Sequence, residues 1–400
     1  MDISFGEALL VFGGLLAIVA ALSGVMRGTV LSASVLSVAL GLLLAAVGAV
    51  DVEASDTAIV ELIELALILT LFSDGMFVER ELLRRHWSPV ARALMIAMPI
   101  TMLLLALAAK VLFPEFSWAE AFLLAAVLSP TDPVVTSAVV TSRLVPASVR
   151  HTLNLESGLN DGLALPFVLF FLVLATPGGD AGSEAAKLVG QAAVGGVIGI
   201  ALGMLAGRLH HHLPGGGLTA RYEGIYAIGF ALFAFGFADV TWGNGLIAAF
   251  VCGIAMAATE RGVPEGFSEF AENASAILQV LTFFVFGALI VATGFHHTVP
   301  PLVVFVFFAL LLARPAAVLL AFLRTGIPRA EKLFMAWFGP KGVASMLFAL
   351  FVLKSGVDDK GLIFDIAAIA IICSIVAHGL TDTVGAKWVA RRTGLTRERP

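Results

Sequence analysis

Ser129-Pro-Thr-Asp-Pro133 and, in the next apolar stretch, Glu156-Ser-Gly-Leu-Asn-Asp161 distinguish this chain from an ordinary series of hydrophobic helices. Both stretches place carboxylates among residues apolar enough to cross a lipid bilayer, where an ionisable side chain is costly and marks a functional site. A proline inside a spanning helix leaves the carbonyl four residues earlier without a donor, so two prolines around one Asp predict a broken helix. Broken helices beside buried acids are typical of cation sites in secondary transporters.

The composition is that of a protein embedded in lipid. Of the 400 residues, 59% are hydrophobic and 13% are charged, and the mean hydropathy is +0.99, whereas a soluble domain carries roughly 25% charged residues. A membrane span needs about 20 apolar residues, and polar or turn-rich punctuation divides the chain into thirteen such segments, spans 1 to 13. They lie at 5–25, 29–50, 57–78, 89–112, 118–141, 152–175, 187–208, 220–238, 241–259, 271–293, 299–323, 330–353 and 362–380.

The predicted fold class is therefore an all-α polytopic membrane protein. No stretch is long or polar enough for a separate soluble domain, so residues 1–400 are predicted to form a single transmembrane domain that ends in a short tail at 381–400. The acidic first residues lack the basic start of a secretory signal, which predicts a retained first helix. Both cysteines, Cys252 and Cys373, lie within apolar spans and offer no disulfide framework or metal spacing.

The distribution of Lys and Arg predicts the orientation. When the N-terminus is placed outside, most of the 24 Lys and Arg residues fall on the inner side of the membrane, as the positive-inside rule requires. The chain is thus predicted to lie in the cytoplasmic membrane with its C-terminal tail in the cytoplasm. The exceptions are Lys110, Lys187, Lys354 and Lys360 outside, and Arg314 and Lys341 within spans.

Span 5 is predicted to unwind near the middle of the bilayer. Its two prolines free the main-chain carbonyls of Ala126 and Ser129. We expect such a turn to offer carbonyl ligands for a monovalent cation and to bring partially charged helix ends into the protein centre. Thr131 can contribute its carbonyl or its hydroxyl. Asp132 either binds the cation or, in the preferred interpretation, provides a fixed countercharge to the positive ends of half-helices.

Span 6 carries two polar pairs at a spacing of four residues, which stacks each pair on one helix face. Glu156 lies below Asn160, and Ser157 lies below Asp161. A carboxylate as deep as Asp161 is neutralised either by a proton or by a metal cation, and both cannot occupy it at once. This competition is the chemistry of an antiporter.

Two cationic side chains lie deep in later spans. The permanently charged guanidinium of Arg314 must meet an acid there, so we predict an ion pair with Glu156, bridged by Asn160. Span 12 contains Gly339-Pro-Lys-Gly342, a second helix break with a cation where span 5 has an anion. Spans 5 and 12 run in opposite directions, which predicts an inverted repeat of spans 2–6 and 9–13 whose broken helices cross. Lys341 is expected to compensate the negative helix ends and Asp132.

Two further sets of polar residues are candidates for a functional role. Asp74 in span 3 lies near the inner end of its helix and is a candidate ligand from a different part of the chain. The residues His210, His211 and His212 lie in a predicted Gly-rich inner loop. Adjacent histidines lack the helical spacing of a zinc site, so a solvated cluster is preferred to a pH sensor.

Together these motifs resemble the bacterial and archaeal, NhaP-like sodium/proton antiporters of the first monovalent cation:proton antiporter family. The resemblance rests on Thr-Asp-Pro in span 5, Glu-Ser-x-x-Asn-Asp in span 6, Arg-Pro in span 11 and Gly-Pro-Lys-Gly in span 12. It implies the NhaA-like antiporter fold and a homodimer. The dimerisation part would comprise about 1–78 and 220–293, the ion-binding core about 89–175 and 299–380, and the linker helix about 187–208.

The resemblance also assigns roles. Asp161 would be the carboxylate that binds the cation and the proton, with Ser157, the carbonyl of Thr131 and Asp74 as further ligands. The residues expected to support the site are Glu156, Asn160, Arg314, Asp132 and Lys341. The Asn-Asp form implies electroneutral 1:1 exchange. The expected ligands are Na+ or Li+ and H+, with no cofactor, no nucleic acid and no appended regulatory domain within this chain.

Three alternatives remain open from the sequence. Potassium/proton exchange is one, because carbonyl, hydroxyl and carboxylate oxygens can bind either ion. A channel is less favoured, because opposed helix breaks beside a titratable acid suit alternating access. An intramembrane aspartyl protease would use Asp132 and Asp161, but such enzymes need Gly before the second Asp, where this chain has Asn160.

Overall fold

The computed structural model describes residues 5–26, 33–50, 57–82, 87–132, 142–178, 181–212, 220–259, 265–293 and 299–395. In these residues all regular secondary structure is helical. The helices are α1 (Phe5–Met26), α2 (Ala33–Ala46), α3 (Thr57–Leu82), α4 (Trp87–Leu112), α5 (Trp118–Val127), α6 (Ala147–Ala175), α7 (Ala181–His212), α8 (Ala220–Val240), α9 (Gly245–Thr259), α10 (Glu265–Thr293), α11 (Val299–Ala321), α12 (Arg329–Trp337), α13 (Val343–Lys354) and α14 (Lys360–Thr393).

The predicted helix breaks are present. Helix α5 ends at Val127, and residues 128–132 are not helical. Span 12 is divided into α12 and α13 by residues 338–342. Pro133, the second proline of the first motif, lies outside the described residues. In the described part of the chain six helices, α4, α6, α7, α8, α11 and α14, are long and apolar enough to cross a membrane. The count of thirteen spans stays a prediction.

Several helix boundaries differ from the predicted spans. Helix α6 begins five residues earlier, at Ala147, and α7 continues through His212, so the three histidines end a helix and do not lie in a loop. The side chains of His210–His212 lie outside the described residues. Helix α14 continues to Thr393 through most of the predicted tail. Its last turns stay helical because Val389 and Ala390 are buried and Gly385 packs against the ring of Phe338.

Helices α4 and α11 share a local irregularity. Each contains one π-helical turn, at Ala93–Ala97 in α4 and at Ala309–Ala313 in α11. Each turn lies just before a proline, Pro99 or Pro315, and the missing amide of a proline accounts for the local change in hydrogen bonding. These two helices occupy equivalent positions in the predicted inverted repeat, and they carry the same distortion.

Reciprocal glycine contacts join two pairs of helices. A Cβ at Gly75 of α3 would meet the main-chain carbonyl of Phe250 in α9, and a Cβ at Gly253 of α9 would meet that of Phe72 in α3. Gly41 of α2 and Gly287 of α10 form the same kind of reciprocal contact, each against a main-chain carbonyl of the other helix. Because no side chain separates these backbones, each pair is held at close range, as small residues allow in membrane helices.

Helix α7 is attached to α9 in the same way. Gly195, Gly199 and Gly203 recur every four residues and lie on one face of α7. A Cβ at any of them would overlap a main-chain carbonyl of α9 or of Asn244, which precedes it. The helix predicted to be the linker therefore packs along its length on α9.

Replacing Gly253 with Ala should lower the thermal unfolding temperature of the purified protein. The added methyl group would overlap the carbonyl of Phe72, and overpacking of this kind costs about 1–3 kcal/mol. Gly236→Ala in α8 is the matched control, because nothing lies within 4 Å of its Cβ position and Ala is favoured over Gly in a helix by about 1 kcal/mol. Fluorescence-monitored unfolding in detergent measures both, and equal midpoints would contradict the close approach of α3 and α9.

Candidate ion-binding site

The two helix breaks meet inside the protein. The main-chain N–H of Asp132 donates to the carbonyl of Pro340 at 2.9 Å, so the two interrupted segments are joined by a direct backbone hydrogen bond. Asp132 and Lys341 are 7% and 3% exposed. A backbone without helical hydrogen bonds is tolerated at membrane depth only where it is buried in protein and its polar groups find partners. The breaks satisfy this condition in part by binding each other.

The cation of one break binds the freed backbone of the other. Lys341 Nζ donates to the carbonyl of Pro130 at 3.2 Å. The carbonyl of Ala126, which the proline frees, accepts hydrogen bonds from the hydroxyl of Ser129 at 3.0 Å and from its main-chain N–H at 3.3 Å. The carbonyl of Ala126, which was expected to be exposed as a ligand, is therefore bound within the protein.

Asp132 lies at the amino end of a half-helix. Its Oδ2 accepts a hydrogen bond of 3.1 Å from the main-chain N–H of Val343, the first residue of α13. A Cβ at Gly342 would overlap the same carboxylate, so only glycine leaves room for it there. A carboxylate stabilises the partial positive charge at a helix amino terminus. This position agrees with the predicted role of Asp132 as a countercharge.

A chain of three polar side chains links the first break to α6. Asn160 Nδ2 donates to Thr131 Oγ1 at 2.7 Å, and Thr131 Oγ1 lies 3.2 Å from Ser157 Oγ. Because Thr131 Oγ1 accepts from Asn160, its own proton is free to be donated to Ser157. The hydroxyl of Thr131 is thus engaged, and its carbonyl and a lone pair of Ser157 are left as candidate cation ligands.

Asp161 follows directly on α6. It is 6% exposed, and in the described part of the chain its buried Oδ1 has no hydrogen-bond partner. The charges close enough to act on it are those of Asp74, Asp132 and Lys341. A buried carboxylate oxygen without a partner is costly, so a proton or a cation at this atom would stabilise it. Two further acids against one lysine make the surroundings attractive to a cation.

The predicted ion pair between α6 and α11 is present. Arg314 donates from one terminal guanidinium nitrogen to Glu156 Oε1 at 2.7 Å, and both side chains are buried. The other terminal nitrogen lies 3.4 Å from the carbonyl of Phe338 at the second break. The prediction that Asn160 bridges this pair is wrong, because its amide nitrogen donates to Thr131. Packing turns Asn160 toward the first break.

Asp161 lies close to a contact between helices distant in sequence. The backbone of Asp74 in α3 lies 3.7 Å from the Cβ position of Gly158, and the ring of Phe250 in α9 packs directly on Gly162. Asp74 is half-buried, and it lies close enough to Asp132 for the two negative charges to repel each other. The structure thus brings the acid of α3 to the same region as Asp161.

Sequence reasoning missed two buried residues of α14 at this site, Ser374 and His378, which contact the second break. The available signal was a pair of polar residues spaced by four in an apolar span. Asp365, left unassigned from the sequence, lies elsewhere on α14. It lines an apolar cavity of about 250 Å³ with Phe113 and Ile366.

The chain matches a family of known proteins over most of its length. Residues 14–387 match the family described as sodium/hydrogen exchanger, transmembrane. A K+/H+ antiporter, NhaP, from Alkalimonas amylolytica is 26% identical over 328 residues, which cover 81% of this chain and 56% of that protein. A probable Na+/H+ antiporter of Schizosaccharomyces pombe is 29% identical over 307 residues, which cover 72% of this chain and 40% of that protein. The chain thus spans about half the length of these relatives.

The fold matches that of a solved transporter. A structure of the sodium proton antiporter MjNhaP1 from Methanocaldococcus jannaschii at pH 8 superposes with a TM-score of 0.73 at 19% sequence identity, covering 96% of this chain and 99% of the other. A second structure of MjNhaP1, from electron microscopy, gives a TM-score of 0.81 at 20% identity and covers 99% of this chain. The fold class predicted from the sequence is confirmed.

Replacing Arg314 with Met should strongly lower the thermal unfolding temperature, because the variant leaves the carboxylate of Glu156 buried without its partner. Breaking a buried ion pair in this way costs about 3–5 kcal/mol. The double variant Glu156→Gln/Arg314→Met should recover part of the loss. Lys187→Met is the control, because its pair with Glu184 at 3.6 Å is half exposed and is expected to contribute about 0–1 kcal/mol. Equal midpoints for Arg314→Met and Lys187→Met would contradict the assignment.

Proposed function

We propose that this chain, which belongs to the transmembrane sodium/hydrogen exchanger family, exchanges a monovalent cation, Na+, for H+ across the cytoplasmic membrane by alternating access. The observation that supports this most directly is the buried Oδ1 of Asp161, which has no partner within the described residues. Of the other buried charged groups near it, Asp132, Lys341 and Glu156 each have a binding partner in the protein. Asp161 is the group left for a transported ion.

The surrounding charges are held by fixed contacts. Asp132 is bound to the amino end of α13, and Lys341 is bound to the carbonyl of Pro130. The buried acid Glu156 is paired with Arg314. We infer that groups held in this way stay in place during transport and that Asp161 is the group that exchanges its bound ion.

We infer a simple sequence of events at Asp161. A cation approaching the ionised carboxylate finds oxygen ligands on Ser157 and on the carbonyl of Thr131, whose side chains are mutually hydrogen bonded. When the cation leaves, a proton takes its place and again neutralises the buried charge, which avoids an uncompensated carboxylate in a low-dielectric interior. One carboxylate trading one cation for one proton gives electroneutral 1:1 exchange. Asp74 would add a ligand from α3.

Sodium is the proposed cation, and potassium is the second candidate. Hard oxygen ligands suit either ion, and selectivity depends on the size of the cavity that they form. The relatives include a K+/H+ antiporter from Alkalimonas amylolytica and Na+/H+ antiporter 2 from Zygosaccharomyces rouxii. Potassium therefore has to be tested beside sodium.

The proposed moving parts follow the packing of the helices. Backbone-to-backbone glycine contacts hold α3 to α9, α2 to α10 and α7 to α9. The contact between α6 and α9, in contrast, is made by the ring of Phe250 on Gly162. A ring that packs on a glycine can slide along the helix more easily than two backbones in direct contact, so α6 is better placed to move relative to α9 than α3 is. This supports a core with α6 that moves against a dimerisation part. The homodimer, the outside N-terminus and the cytoplasmic C-terminus remain proposals from the sequence.

The intramembrane protease alternative is excluded by membership in a family of exchangers. The geometry agrees, because a catalytic pair of aspartates must share its reacting groups. Asp132 instead accepts a hydrogen bond from the main chain of Val343. A channel is disfavoured because the two breaks are closed on each other by direct hydrogen bonds.

Asp161→Asn should reduce cation-driven proton flux in proteoliposomes to the level of protein-free vesicles, because the amide carries no charge and cannot take up a proton in exchange for the cation. Flux is measured from a pH-sensitive dye after addition of Na+, Li+ or K+, with choline as the inert cation. Asp365→Asn is the matched control, since Asp365 is also buried, 4% against 6% exposed, and lies in apolar surroundings. It should keep wild-type flux.

Proton flux that persists in Asp161→Asn would contradict the assignment of the site. Flux with K+ alone would keep the antiport proposal and replace sodium by potassium. In the same vesicles an imposed membrane potential should not change the exchange rate. A current whose direction follows the potential would contradict the 1:1 stoichiometry.

A further inference from the structure

Ser374 and His378 lie one turn apart on α14 and are 0% and 2% exposed. Both contact the interrupted segment between α12 and α13. The main-chain N–H of Lys341 donates to Ser374 Oγ at 2.9 Å. Nε2 of His378 lies 2.9 Å from the carbonyl oxygen of Trp337. A carbonyl only accepts hydrogen bonds, so this contact is a hydrogen bond in the tautomer of the neutral ring that carries its proton on Nε2.

The N–H of Lys341 and the carbonyl of Trp337 are the donor and the acceptor of one helical hydrogen bond that the break removes. In an α-helix each N–H bonds the carbonyl four residues earlier, so an uninterrupted span 12 would join the N–H of Lys341 to the carbonyl of Trp337. The break separates these groups, since α12 ends at Trp337 and α13 begins at Val343. Ser374 takes the donor and His378 takes the acceptor. Their side chains replace the lost helical bond from outside the helix.

The contact also reaches the first break. Ser374 binds the main-chain N–H of Lys341, and the ammonium group of Lys341 binds the carbonyl of Pro130. Pro130 is followed by Thr131, the proposed cation ligand. A shift of Ser374 would therefore be transmitted over two hydrogen bonds, through Lys341 to Pro130, to the neighbouring Thr131 that is proposed to bind the ion.

We propose that His378 and Ser374 are positioning residues for ion binding, which hold the second helix break open in the geometry that places Lys341 against the first. The expected effect on ion binding rests on the proposed antiport function. The support of the helix break rests on the hydrogen bonds alone. Both side chains are needed, because Ser374 binds the freed N–H of Lys341 and His378 binds the freed carbonyl of Trp337.

The role of His378 depends on its N–H and not on a change of charge. In the Nε2–H tautomer Nδ1 accepts from the hydroxyl of Ser374, whose Oγ lies 3.2 Å away. The carbonyl oxygen of Ser374 lies 2.7 Å from Nδ1 and would be bound only in the other tautomer. The charged groups that act on the ring are Arg314 and Lys341, both cationic. A second proton on the ring would add a third positive charge, which they would repel. Glutamine, which carries an N–H donor at a similar distance from the backbone and does not titrate, should therefore replace His378.

The experiment compares His378→Ala, His378→Gln and Ser374→Ala in proteoliposomes. His378→Ala and Ser374→Ala should each raise the apparent KM for the cation about tenfold, with a smaller effect on kcat, as loss of one buried hydrogen-bond partner predicts. His378→Gln should return the KM close to that of the wild type, with an unchanged pH profile. Thermal unfolding in detergent should follow the same order, with the Ala variants lowered and the Gln variant restored.

Three results would overturn the proposal. They are a wild-type KM in His378→Ala, a Gln variant that folds but keeps the raised KM, and a pH profile displaced by His378→Gln, which would make the ring a titrating group. Absence of exchange in the wild type would instead overturn the proposed function. The unfolding temperatures would then still decide whether the two side chains hold the break.

Discussion

Helix breaks at membrane depth require that every freed backbone group be bound inside the protein. In this chain the two breaks meet that requirement together: Asp132 donates its N–H to Pro340, accepts the N–H of Val343 with its carboxylate, and Lys341 binds the carbonyl of Pro130. Neither break could keep its geometry without the other. Because this crossing fixes Thr131 beside α6, the position of the proposed ion ligands depends on it.

The crossing also explains why Asp161 stands apart from the other buried charges. Asp132 and Lys341 are held by the backbone of the opposite break, and Glu156 is held by Arg314. These contacts stabilise charges that stay in place. One carboxylate oxygen of Asp161 is among the buried side-chain atoms without a hydrogen-bond partner in the described part of the chain, and in the proposed function a mobile proton or cation supplies the missing interaction. The fixed contacts and the proposed ion binding thus follow from the same constraint, which is that a buried charge needs a partner.

The sequence predicted those features that follow from strong local rules. Prolines forbid helical hydrogen bonds, so both breaks could be located, and a buried guanidinium must meet an acid, so the pair of Glu156 and Arg314 could be named. It did not predict the direction of Asn160, which depends on how α6 packs against α5. It also missed His378, because the need for its N–H arises only when α14 lies against the break in span 12. The extension of α14 to Thr393 has the same origin, since contacts with α12 and not hydropathy keep its end helical.

Proton release on cation binding tests the central claim most directly. Adding Na+ to purified protein in weakly buffered detergent solution should release about one proton per chain, as expected when a metal displaces a proton from its ligand, and the Asp161→Asn variant should release none. The release should fall at high pH, where the carboxylate is already ionised. Equal release from the wild type and from Asp161→Asn would contradict the claim that the proton and the cation compete for this carboxylate.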